Sequence, residues 1–122
     1  MNTPSSRQSL DQKRILAKAF FKASEQLNLS QTQLAMILGI SELEIHKLRS
    51  EGQLDPFSQQ GERALLIIRL FKALYNLSGG DQETIQLFLS SRNQVTGGIP
   101  LEQIETMNGL VACLQFVELI QR

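Results

Sequence analysis

The chain has 122 residues, with 12 basic and 12 acidic side chains and a formal net charge of zero. That length allows one domain or two very small ones, and the charge balance leaves no overall field to hold nucleic acid or an anionic membrane. The single cysteine, Cys113, rules out an internal disulfide. A cysteine-poor chain with no apolar run of membrane-spanning length and a polar start, MNTPSSRQS, is expected to be soluble and cytoplasmic.

In chain order, residues 1–9 are polar and expected to form a disordered terminus. Ser9 with Gln12 makes a capping box for a helix from Leu10 to about Leu27. Its inward stripe is Ile15, Leu16, Ala19, Phe20, Ala23 and Leu27, recurring at three and four. Its start and outer face carry Arg7, Lys13, Arg14, Lys18 and Lys22 against Asp11 and Glu25. Lys13 and Arg14 are the candidate phosphate contacts; an ordinary solvated face is the alternative.

Ser30–Leu48 carries the clearest motif. Ser30 and Gln33 form a capping box, and the helix they open runs through Leu34, Ala35 and Leu38 to Gly39, where the chain can turn. Ile40 is an apolar plug. Ser41 and Glu44 form another capping box for a second helix that turns Ile45 and Leu48 inward. Two short capped helices around a glycine turn, with small Ala35 permitting a steep crossing, make a helix-turn-helix. Many such hairpins never touch DNA.

If this one does, the second helix should enter the major groove. Its outward residues are Ser41, Glu42, Leu43, Glu44, His46, Lys47 and Arg49. Lys47 and Arg49 suit phosphates or bases. Glu42 and Glu44 suit the helix dipole but repel phosphates, although Glu can accept from cytosine. Gln31 and Thr32, at the start of the first motif helix, complete the DNA-contacting set with Ser41, Leu43 and their neighbours. His46 has no second metal-ligand residue with it and reads as a surface histidine.

Gly52 ends that helix, and Gln53–Gln60 is a connector with Pro56, whose Phe57 is expected to tuck into the core. Glu62–Leu77 is apolar over most of its circumference, the pattern of a central helix and a possible subunit contact. Asp81 caps a helix over about Gln82–Ser91 with Ile85, Phe88 and Leu89 inward. After the loop 92–98, Pro100 opens a short turn through Ile104, and Thr106 caps a last helix over about Met107–Gln121. That helix is apolar on more than one face, which implies a dimer or another partner unless it simply packs on the central helix. The fold class is therefore all-α, with a helix-turn-helix half (10–55) and a C-terminal helical half (56–122) sharing the central helix. No phosphate-binding glycine loop, metal cluster or catalytic triad is legible, so neither a cofactor nor an enzymatic activity is expected.

The segment from Glu62-Arg63-Ala64 through Gly79-Gly80-Asp81, Phe88-Leu89, Asn93, a Gly pair, Pro100-Leu101, and Thr106 with Gly109-Leu110 resembles the C-terminal domain of the Xre/MbcA/ParS antitoxin family. The helix-turn-helix ahead of it stands where this family keeps its own, so the resemblance covers about residues 10–122. It implies a homodimeric type II antitoxin. Such a protein binds operator DNA near its own operon and uses its C-terminal domain to cover a cognate toxin, commonly a RES-domain enzyme that consumes NAD. By this similarity Lys47 is the basic residue of the recognition helix. Pro100, Leu101, Phe116, Ile120 and Arg122 are the toxin-facing residues. The chain departs from the family in having Phe88 where Trp is usual and Leu48 where an aromatic is common. Two further readings stay open: a stand-alone helix-turn-helix regulator with weak or vestigial DNA binding, and a structural adaptor.

Overall fold

A computed structural model describes residues 3–121, with side chains from Gln8 onward. The described residues form seven helices: α1 (Thr3–Gln26), α2 (Gln31–Leu38), α3 (Glu42–Glu51), α4 (Gln59–Ser78), α5 (Gln82–Ser90), α6 (Pro100–Gln103) and α7 (Met107–Gln121). The all-α expectation holds, the only extended pairing among them being an isolated bridge between Asn93 and Gly98.

Helix α4 is the spine. It packs against α1 and α2 on one side and against α5 and α7 on the other. Ala64, Ile67, Leu70, Ala73 and Leu74 are all buried along it, so its apolar circumference is used in both directions. Around it Phe20 and Leu27 of α1, Leu34 and Leu38 of α2, Ile45 of α3, Ile85 and Leu89 of α5, and Leu110 and Val117 of α7 join one continuous core.

Four expectations are corrected. Helix α1 is described from Thr3, so residues 3–9 of the expected disordered terminus are helical and Ser9 lies inside the helix instead of capping it, while residues 1–2 lie outside the described residues. The stripe on α1 is rotated as well: Ile15 is 67% exposed, while Ala17 and Ser24 are buried with Leu16, Phe20, Ala23 and Leu27. Both α3 and α4 pack on this helix, which turns its buried arc toward the motif. Phe57 is 90% exposed. Leu54 takes the core position in the connector and donates its N–H to the Lys13 carbonyl at 3.0 Å, while the Asp55 carboxylate accepts the Phe57 N–H in a tight turn that throws the ring outward. Finally, α4 starts earlier than Glu62, because Ser58 accepts the Gly61 N–H and caps it.

Gly61 is where the connector meets the spine. A Cβ there would collide with the backbone carbonyl of Asp55 and lie 2.8 Å from the Pro56 Cα. Helix propensity alone favours Gly61→Ala by about 1 kcal/mol, whereas overpacking against rigid backbone costs roughly 1–3 kcal/mol. The clash wins. Urea unfolding is expected to show Gly61→Ala as the less stable protein; an unchanged or higher midpoint would mean that the connector does not press on α4.

Candidate nucleic-acid interface

The α2–turn–α3 unit is built as its residues dictate. Ser30 Oγ accepts the Gln33 N–H at 3.1 Å while the Gln33 side chain accepts the Ser30 N–H at 2.9 Å. Ser41 and Glu44 repeat the same reciprocal pair at 3.1 and 3.0 Å. Between them Gly39 holds φ 72°, and its N–H and that of Ile40 both donate to the Ala35 carbonyl. A side chain at this φ would be strained, and its Cβ would come within 2.7 Å of an Arg63 guanidinium nitrogen from α4. The Arg63 side chain of the spine thus lies over the motif turn. Ile45 is fully buried, Leu48 half-buried.

The two carboxylates in the first turn of α3, Glu42 and Glu44, have local employment; a third, Glu51, ends the helix. The Glu44 carboxylate is held below its ordinary pKa, chiefly by the Ser41 backbone N–H, then by the Ser41 hydroxyl and the charge of Lys47. Glu42 accepts the Thr32 hydroxyl at 3.0 Å, which ties the first turn of α3 to the first turn of α2. Both acids therefore serve the motif's geometry, and the Lys47 and Arg49 side chains remain exposed farther along the helix.

Of the other sequence-derived contacts, Thr32, Ser41, Leu43 (77% exposed) and Arg14 stand on the surface, and Gln31 is half-buried. Lys13 is half-buried beside the connector that its carbonyl binds. His46 is exposed. One residue was missed. Phe21, on the face of α1 that meets α3, carries the Arg49 guanidinium 4.3 Å above its ring centroid. The adjacent pair Phe20-Phe21 was the available signal. Neighbours on a helix stand about 100° apart, so a ring beside fully buried Phe20 must look toward a flank of the core.

A second exposed surface lies on the C-terminal half. Phe88 of α5 stacks on Phe116 of α7, centroids 6.2 Å apart and planes 8° from parallel. Leu101 and Phe116 are half-buried and Ile120 is 45% exposed. Pro100 is buried at the start of α6, which removes it from any surface the free chain presents. Arg122 lies outside the described residues. The buried side of α7 is Leu110, Cys113, Leu114 and Val117. Burial pushes the Cys113 thiol up to about 11, and its sulfur lies 3.6 Å from Gln103 Oε1. Gln103 also bonds Thr96 through hydroxyl and carbonyl, closing the 92–98 loop onto α6. On a third flank, α1 and α4 leave an apolar groove of about 440 Å³ between Ala19, Ile68, Phe71 and Tyr75.

Residues 6–69, a little over half of the chain, match the family of antitoxin Xre-like helix-turn-helix domains. The matched stretch runs from α1 through the motif and ends partway along α4. No curated protein matches the chain.

The Glu44 cap generates a pH dependence. Its folded-state pKa is depressed, so its contribution to stability is present above the unfolded carboxylate pKa and is lost as pH falls through the folded value. Glu44→Gln preserves the capping box without the titration. Thermal melts between pH 7 and pH 3 should show the wild type losing more stability than Glu44→Gln; parallel curves would contradict the assignment.

Proposed function

The chain belongs to the family of antitoxins with an Xre-like helix-turn-helix domain, and from that premise we propose that it is a non-enzymatic regulator with two working surfaces. One is α3, which binds operator DNA and represses the protein's own operon. The other is the C-terminal face of Leu101, Phe116 and Ile120, which covers a cognate toxin. The observation that carries the first is the match over α2–turn–α3, joined to a motif in which Glu44 caps α3, Glu42 bonds Thr32 across the turn, and Lys47 and Arg49 are exposed. The second is supported by the resemblance of the segment after α4's start to Xre/MbcA/ParS antitoxins and by the apolar surface that α7 leaves uncovered. Leu119 is 63% and Ile120 45% exposed there. That resemblance names the toxin class as a RES-domain enzyme consuming NAD.

A homodimer belongs to this proposal, since paired recognition helices bind paired half-sites about one helical turn apart. The apolar groove between α1 and α4 offers surface for it.

Duplexes drawn from the DNA upstream of the protein's own coding sequence are the direct test. Lys47→Ala should weaken binding and lower the slope of log affinity against log salt by about one phosphate contact. Affinity and slope equal to wild type would remove Lys47 from the interface and shift weight to a regulator with vestigial DNA binding. For the second surface, Ile120→Asp should leave the far-ultraviolet spectrum and melting behaviour intact while breaking the complex with a co-expressed neighbouring toxin. A variant that merely unfolds would place Ile120 in the core; one that still neutralises the toxin would move the toxin surface elsewhere.

A further inference from the structure

We propose that Phe21 is a positioning residue for DNA binding: its ring holds the Arg49 guanidinium flat so that the outward N–H edge meets one backbone phosphate. The inference rests on the assignment of α3 as the DNA-facing helix.

The arrangement is a relay from core to surface. Phe20 is fully buried, and Phe21 packs edge-on against it, centroids 5.2 Å apart and planes at 64°. The half-buried Phe21 ring then carries Arg49 on its outer face at 4.3 Å. A stacked guanidinium spends its π-face on the ring and keeps its planar fork of N–H donors for an anion, which an ammonium could not do. Among the described residues the ion pair is Arg69–Glu118, on the other half of the molecule, so no carboxylate takes that fork.

Beside it lies a shallow concavity of about 220 Å³ lined by Phe21, Ser24, Glu25, Asn28, Leu29 and Arg49. The Glu25 carboxylate on its wall disfavours an anion inside, which leaves the outward edge of Arg49 as the place for a phosphate. Arg49 sits in the last turn of α3, away from the base-reading first turns. Its role is thus to set register on the backbone. A free arginine would lose considerable rotamer freedom on binding; one already stacked has lost it beforehand.

The experiment is fluorescence anisotropy of the full chain with a labelled upstream duplex, across salt, for Phe21→Leu, Phe21→Tyr, Arg49→Ala, Lys47→Ala and the double variant Phe21→Leu/Arg49→Ala. Circular dichroism verifies folding of each. Phe21→Leu should weaken binding about three- to tenfold, the worth of one pre-ordered side chain. Its salt slope should be unchanged, because the charge is still delivered. Phe21→Tyr should stay within about twofold, since it keeps the ring face. Arg49→Ala should lower the slope by about one. In the Arg49→Ala background Phe21→Leu should cost nothing more. If it costs as much there as in wild type, Phe21 supports the fold only and the proposal is overturned.

Ring-current shifts of the Arg49 side-chain protons in the free protein, lost in Phe21→Leu and kept in Phe21→Tyr, report the stacking without DNA. Stacking present with Arg49→Ala and Lys47→Ala both binding as wild type would sink the DNA-facing assignment of α3 itself. Stacking absent in the free protein would sink the role of Phe21 alone.

Discussion

The structure depends on the burial of α4 on both flanks. A 20-residue helix with apolar residues around most of its circumference needs cover on more than one side, and here a stripe through Glu62, Leu65, Arg69, Lys72 and Asn76 is what stays in water. Helices α1 and α2 cover one side, α5 and α7 the other, and the two halves of the chain therefore share one core. That sharing answers a size problem. A unit of roughly 60 residues buries only about 60% of the surface its unfolded chain exposes, so neither half commands a large core alone. Arg63 lies against the motif turn at Gly39, and Ser58 caps the spine just after the connector. The geometry of the helix-turn-helix is thus set from α4 as well as from its own caps.

Within the motif, charge is spent on geometry before it is spent on ligands. A recognition helix opening with Glu42 and Glu44 looks ill-suited to a polyanion. The structure shows each acid accepting a hydrogen bond that fixes an element: Glu44 from its own cap, Glu42 from Thr32 across the turn. A carboxylate so engaged still carries its charge, but it stands at the positive end of the helix dipole, where that charge is best tolerated. The cations lie one to two turns farther on, and Arg49 is braced on an aromatic ring instead of waving free. Along this short helix the two hydrogen-bonded acids open the first turn, Lys47 and Arg49 follow, and Glu51 closes it.

The C-terminal half is organised differently. Its loop from Asn93 to Gly98 is closed by the Asn93 side chain, which accepts the Val95 and Thr96 N–H groups, and by Gln103 from below. Helix α7 turns one arc into the core and leaves Leu119 and Ile120 outside it. The stacked Phe88 and Phe116 sit at the boundary between the two. An apolar helix with a covered arc and an open arc is a surface with work left over, which is what the toxin-facing proposal uses.

Most of the caps and stops were legible in the chain alone, because they are local. Ser30, Gln33, Gly39, Ser41, Glu44, Gly52 and Asp81 act within three or four residues, and each is found in its expected role. So the all-α class, the motif and the bounds of α7 could be read from spacing. Two local signals misled: Ser9 reads as a cap but lies inside α1, and Ser58 is the cap that opens α4 ahead of Glu62. The other failures depended on distant partners. Whether Ile15 or Ala17 faces inward is decided by where α3 and α4 lie around α1, and a few tens of degrees of rotation exchange them. Leu54 and Phe57 compete for one core position, and the connector's hydrogen bond to Lys13 settles it. Pro100 reads locally as a helix start, which it is, but its burial comes from packing. Phe21 and Arg49 are 28 residues apart in the sequence, with no periodicity to link them. Local hydrogen-bonding chemistry is written in neighbouring residues; the rotation of a helix about its axis, and so the partners of its flank, is fixed only when the whole core closes.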